Sequence, residues 1–104
     1  MEEALLLDTN AFIDGHRGKI TACTLLEHAP ALRSNPLVIY PKERDFIKAA
    51  EIGSKLFAQG TPVGGMDLLI ASVAVNRGLT LATRDKDFHL IQKVESKLRI
   101  QWLG

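Results

Sequence analysis

The residues that could do chemistry are acids, and they recur in one arrangement: a carboxylate beside a strongly apolar stretch. The run Leu5-Leu6-Leu7 ends abruptly in Asp8-Thr9-Asn10; Gly64-Gly65-Met66-Asp67 opens the apolar stretch Leu68-Leu69-Ile70; and Leu79-Thr80-Leu81-Ala82 leads into Thr83-Arg84-Asp85-Lys86-Asp87-Phe88. An apolar run as short as the first reads as a strand buried on both faces, and open α/β sheets place their chemistry at the carboxyl ends of such strands. Asp8, Asp67 and Asp85 would therefore gather at one edge of a sheet, an arrangement that like charges resist unless a cation sits among them. Hard oxygen ligands in small number select Mg²⁺ or Mn²⁺; His16, His28 and His89 are scattered and Cys23 is alone, so no set suited to zinc exists.

Each acid also has an ordinary explanation. Asp8 is placed to N-cap a helix starting at Thr9 or Asn10. Asp67 falls in the first turn of a helix, where the macrodipole favours negative charge, although Gly64-Gly65 would let the backbone come close to a neighbour there. Asp85 and Asp87 suit a turn; with Phe88 anchored in the core only one of them faces inward, Asp85 before Asp87. Glu27 lies among leucines on a helical stretch, where most glutamates are simply solvated. Asn10 could orient a carboxylate or make a turn.

The elements that must position these residues alternate. A strand is expected over Ala4 to Asp8, then a short helix from Thr9 to about His16. A helical stretch runs from Thr21, its N-cap, to about Leu32, with Pro30 disturbing the last turn. A second buried strand, Leu37 to Tyr40, is closed by Pro41. A helix from Glu43 carries Phe46, Ile47, Ala50, Ile52, Leu56 and Phe57 at roughly helical spacing until Gly60 and Pro62 stop it, and a second runs from Met66 to Arg77 and ends at Gly78. A third strand, Leu79 to Thr83, a helix around Phe88 to Val94 and a half-exposed strand, Leu98 to Trp102, complete the chain. Alternation predicts an α/β fold, a small parallel sheet of about four strands with helices on both faces, in a single domain spanning residues 1–104.

Composition narrows the setting. With 104 residues the chain can bury a core without staples, and its single cysteine, Cys23, sits in an apolar stretch as a small core residue. The start Met1-Glu2-Glu3 is acidic where a secretory signal needs lysine or arginine, and no apolar run approaches the ~20 residues of a membrane span, so a cytoplasmic protein is expected. A net charge of +1 excludes nucleic-acid binding by charge alone. Locally, Arg84, Lys86, Lys93, Lys97 and Arg99 outnumber Asp85, Asp87 and Glu95, a weakly basic rim that either holds a phosphate chain or is a solvated helix face. The apolar helices Met66 to Val75 and Phe46 to Phe57 offer more hydrophobic face than one thin sheet covers, which predicts a homodimer. There is no Walker or GxGxxG phosphate cradle and no Ser-His-Asp arrangement.

At these residues the chain resembles the PIN-domain family, and in its small size the VapC-type toxins of toxin–antitoxin pairs. Leu6-Leu7-Asp8-Thr9-Asn10 is similar to the family's opening motif, Asp67-Leu68-Leu69-Ile70-Ala71 to its third-acid helix, and Leu81-Ala82-Thr83-Arg84-Asp85-Lys86-Asp87-Phe88 to its closing one. Thr21-Ala22-Cys23-Thr24-Leu25-Leu26-Glu27 fits the Ser/Thr-x-x-Thr-x-x-Glu spacing of the family's second acid, which raises Glu27 to a site residue. Between Asn10 and Leu37 the chain is shorter than such proteins usually are.

The resemblance implies a three-layer PIN-like sandwich and Mg²⁺- or Mn²⁺-dependent cleavage of RNA phosphodiesters. Asp8, Glu27, Asp67 and Asp85 would be ligands, directly or through water, with Asn10, Thr83 and Asp87 orienting them and Arg84 and Lys86 touching the nucleic acid. A small antitoxin protein would be the partner. Two rivals stand beside it: aspartyl-phosphate chemistry with Asp8 as nucleophile, which wants a second acid where Asn10 stands, and a PIN-like scaffold that binds without cutting.

Overall fold

A computed structural model of the chain describes residues 4–104, so the acidic start Met1-Glu2-Glu3 lies outside the described residues. Five short strands run parallel. β1 (Leu5–Leu7) pairs with β4 (Thr80–Thr83), and β4 pairs with β5 (Arg99–Trp102). A second pair, β2 (Ile20–Thr21) with β3 (Val38–Ile39), is tied to β1 through a bridge between Leu6 and Lys19. Gly18 permits that approach: a Cβ there would meet the Leu7 side chain at 3.0 Å and the Leu5 carbonyl at 3.1 Å.

Adjacent residues of the central strands point to opposite faces, and each face is covered. Leu6 and its register partner Leu81 pack with Ile52 and Leu56 of α3 (Glu43–Ala58), Ile70 and Val73 of α4 (Gly65–Arg77), and Phe88 and Ile91 of α5 (Asp87–Val94). Leu7 and its partner Ala82 pack on the other side with Ala11 and Phe12 of α1 (Thr9–Ile13), Ile20, and Ala31 of a 3-10 helix (Ala29–Ser34). This is the expected α/β sheet with helices on both faces.

Several local expectations need correction. The helical stretch from Thr21 breaks in two: Thr21 does cap α2 (Ala22–Glu27), its hydroxyl accepting from the Cys23 N–H, but Pro30 lies in the first turn of the separate 3-10 helix, where a missing N–H is tolerated. The strand expected over Leu37 to Tyr40 shrinks to Val38–Ile39 and is not buried, since Leu37 and Tyr40 are both exposed. Ile20–Thr21, too short for any periodicity to reveal, forms a strand of its own. Gly64 and Gly65 face open space, so no neighbour needs their missing side chains.

Of the two helices expected to carry surplus apolar face, only one does. α4 is covered, with Leu69 to Ala74 all buried, whereas α3 leaves Phe46, Ile47 and Phe57 exposed. Gly78 ends α4 in the left-handed conformation at φ 64°, as its position after Arg77 predicts. Among the described residues no helix is long and apolar enough to cross a membrane.

Candidate metal centre

The carboxyl ends of β1 and β4 and the first turn of α4 meet at a cleft of about 360 Å³ lined by Asp8, Thr9, Asn10, Ile13, Glu27, Asp67 and Asp85. Asp8 comes directly after β1 and is 3% exposed. Its capping role is real: Oδ1 accepts from the Ala11 N–H at 2.9 Å. Its Oδ2 accepts from the Thr83 hydroxyl at 2.6 Å, so both oxygens are fixed and the carboxylate still borders the cleft. Cap and site residue are therefore compatible roles at one position.

Thr83 closes β4 and serves both sides of the cleft, since its oxygen also accepts from the Asp85 N–H at 2.9 Å. Asp85 in turn accepts from the Asp87 N–H at 2.9 Å, a tight aspartate turn that starts α5. Of the two, Asp85 lines the cleft and Asp87 is exposed. Phe88 is fully buried as anticipated, yet Asp67, Asp85 and Asp87 each place one carboxylate oxygen within 4.8 Å of the others. Asp87 thus joins the acidic group at its exposed edge.

No hydrogen bond reaches the Asp67 carboxylate among the described residues, and its carboxyl is pushed up to about 6. Burial is the largest cause, followed by the charges of Asp85, Glu27, Asp8 and Asp87. Arg84, next to Asp85 in sequence, does not neutralise the group, because its guanidinium lies 3.1 Å from Asp14. Lys86 is exposed at the start of α5 and Asn10 is exposed at the cleft wall.

Glu27, at the end of α2, reaches the cleft from the other side. It accepts from the Thr9 hydroxyl at 2.6 Å, and Thr9 Oγ1 lies 3.1 Å from Thr24 Oγ1. Sequence reasoning passed over both threonines as site residues, although their spacing held the signal: Thr9 follows Asp8, and Thr24 precedes Glu27 by about one helical turn. The donor set is made of carboxylate oxygens alone, crowded and without a facing cation, and this fits Mg²⁺ or Mn²⁺ better than a softer ion.

Comparison with known proteins identifies the family and the fold. The sequence model of the PIN domain matches residues 31–94, which include Asp67, Asp85 and Asp87. No curated protein matches the chain. Solved structures of toxin-antitoxin complexes are among those that share the fold. VapBC-5 of Mycobacterium tuberculosis, a member of the VapBC family of toxin-antitoxin systems, is similar at 24% identity and a TM-score of 0.81, over 98% of this chain and 100% of that one. VapBC2 of Rickettsia felis, bound to a DNA fragment from its promoter, aligns at 18% identity and a TM-score of 0.76, over 97% of this chain and 99% of the other. DNA-bound VapBC of Salmonella typhimurium aligns at 22% identity and a TM-score of 0.72, over 96% and 98%.

Proposed function

Since the chain belongs to the PIN-domain family, we propose that it is a metal-dependent endoribonuclease of the VapC type, the toxin of a toxin–antitoxin pair. The observation that carries the reading is the unneutralised acidic group at the strand ends, in which Asp67 is held well above the usual carboxylate range. A structural acid would be paired, as Asp45 is by Arg77 at 2.8 Å; this group leaves its charge for a ligand.

In this reading Asp8, Asp67, Asp85 and Glu27 hold Mg²⁺ or Mn²⁺, with Asp87 at the rim. A divalent ion held there would supply Lewis-acid polarisation and charge stabilisation for hydrolysis of an RNA phosphodiester. The protein's own part is placement. Ala11 N–H and the Thr83 hydroxyl hold Asp8 at a fixed orientation, and Thr83 ties Asp8 to the Asp85 turn. With both oxygens of Asp8 engaged, the arrangement favours an anchored ligand over a nucleophile that forms an aspartyl-phosphate. Arg84 and Lys86, both exposed and flanking Asp85 in sequence, would be the phosphate contacts.

The partners follow from the same reading: a small antitoxin protein, and a second copy of the chain, for which Phe46, Ile47 and Phe57 on α3 offer an apolar face. The activity is tested by incubating purified protein with a labelled single-stranded RNA in Mg²⁺ or Mn²⁺, with and without EDTA. Cleavage lost in EDTA is expected; equal cleavage in both, or none in any metal, would overturn the proposal.

A further inference from the structure

Among the four acids proposed as ligands, Glu27 has the most freedom to leave the cleft. It is exposed, it ends a helix of six residues, and a glutamate has three rotatable bonds with which to leave the cleft. Its only hydrogen bond among the described residues comes from Thr9. We propose that Thr9 and Thr24 form a directed hydroxyl relay that aims Glu27 into the acidic cleft, making Thr9 a positioning residue for metal binding. This inference rests on the reading of the cleft as a metal site.

Proton counting sets the direction. A hydroxyl has one proton to give, and an ionised carboxylate can only accept. At 2.6 Å from Glu27 Oε1, Thr9 gives its proton there. The 3.1 Å contact between the two threonine oxygens must then be donated by Thr24 and accepted by Thr9. Thr24 is fully buried, so its side chain has a fixed place from which to donate, while Thr9 is half-buried at the start of α1. The relay therefore runs from the core outward, Thr24 to Thr9 to Glu27.

Its location couples two ligands. Thr9 is the residue after Asp8, whose backbone and carboxylate are pinned at the end of β1. By gripping Glu27, Thr9 fixes the position of the second acid relative to the first across 18 residues of chain. A mere tie between α1 and α2 would do neither of the things a positioning role demands: it would not depend on Glu27, and it would not alter the affinity for a cation.

The test is calorimetric titration of MnCl₂ into wild type, Thr9→Val, Thr9→Ser, Thr24→Val, Glu27→Gln and the double variant Thr9→Val/Glu27→Gln, with melting in EDTA to establish that each is folded. Loss of an orienting partner weakens metal binding by about 10-fold or more. Thr9→Val and Glu27→Gln should each reach that loss, and the double variant should bind no more weakly than Glu27→Gln alone. Thr9→Ser, which keeps the hydroxyl, should stay near wild type. Thr24→Val should fall between, and it carries the test if Thr9→Val does not fold. Wild-type affinity in the valine variants alongside a weakened Glu27→Gln, or losses that multiply in the double variant, would overturn the relay and leave the metal site standing. A wild type that binds no Mn²⁺, or a Glu27→Gln variant that binds like wild type, would instead overturn the metal role assigned to Glu27, and the relay with it.

Discussion

Two buried or half-buried aspartates on neighbouring helices have opposite fates. Asp45, in the first turn of α3, is fully buried, and Arg77 at the end of α4 meets it with two parallel hydrogen bonds of 2.8 and 2.9 Å. Asn76 and the Lys42 backbone N–H add donors at 2.9 and 2.7 Å. Burial alone would raise this carboxyl, but those donors and the Arg77 charge outweigh it and hold it down at about 2. Asp67, at the other end of α4, has burial without donors and four acids for neighbours, and sits at about 6. The first carboxylate latches α3 to α4. The second is left with a charge that the fold does not satisfy, and a chain that neutralises one acid so completely has the means to neutralise the other.

The comparison breaks most visibly at the latch. Arg77→Ala would strand a buried, ionised Asp45, and removing one partner of a buried pair costs about 3–5 kcal/mol. For a domain of this size the melting temperature should fall by more than about 10 °C. Thermal unfolding followed by circular dichroism checks it, and a melting temperature within a few degrees of wild type would mean that Asp45 is no more structural than Asp67.

Added cation acts at the other end of α4. Wild type should gain about 2.7 kcal/mol of stability at a Mn²⁺ concentration about 100 times its dissociation constant. Asp67→Asn and Asp8→Asn should lose most of that gain, while a variant at the latch that stays folded should keep it. Melting across a MnCl₂ titration is the measurement. A gain equal in all of these proteins would place the metal somewhere other than the cleft.

Which of these features the sequence disclosed follows from how far apart their parts lie. β1 and Asp8 were legible because a strand buried on both faces reads as an unbroken apolar run, and α4 because twelve or so residues of helix former end at a glycine in the left-handed conformation. The Asp8, Asp67 and Asp85 cluster followed from placing acids at the ends of such elements. β2 escaped because two residues, Ile20 and Thr21, carry no period, and the exposed Leu37 and Tyr40 imitate a buried strand in composition. The latch escaped because Asp45 and Arg77 are 32 residues apart and each looks like an ordinary helix-end charge. Turn chemistry accounts for Asp87 in the sequence, and only the fold brings its carboxylate within 4.8 Å of those of Asp67 and Asp85. Periodic signals report single elements; pairings between them become visible only in the fold.

The smallest expected effect, and the one that isolates Asp67, is in pH dependence. A carboxyl whose folded value is raised from 3.8 to about 6 contributes stability that is fully present below the lower value and is lost as pH rises through the higher. Asp45, held near 2, behaves oppositely, contributing above its unfolded value and losing that contribution only as pH falls toward 2, so the two windows do not overlap. Between about pH 4 and pH 7, in EDTA, wild type should therefore lose about 1–2 kcal/mol through Asp67, less than the full shift because solvent screens a partly exposed group. Asp67→Asn mimics the protonated acid at every pH. It should match wild type near pH 4 and exceed it by that margin near pH 7. Saturating Mn²⁺ should invert the order near pH 7, because a cation binds the ionised form that the empty cleft disfavours. Parallel stability profiles for the two proteins across this range would mean that Asp67 is as well satisfied as Asp45.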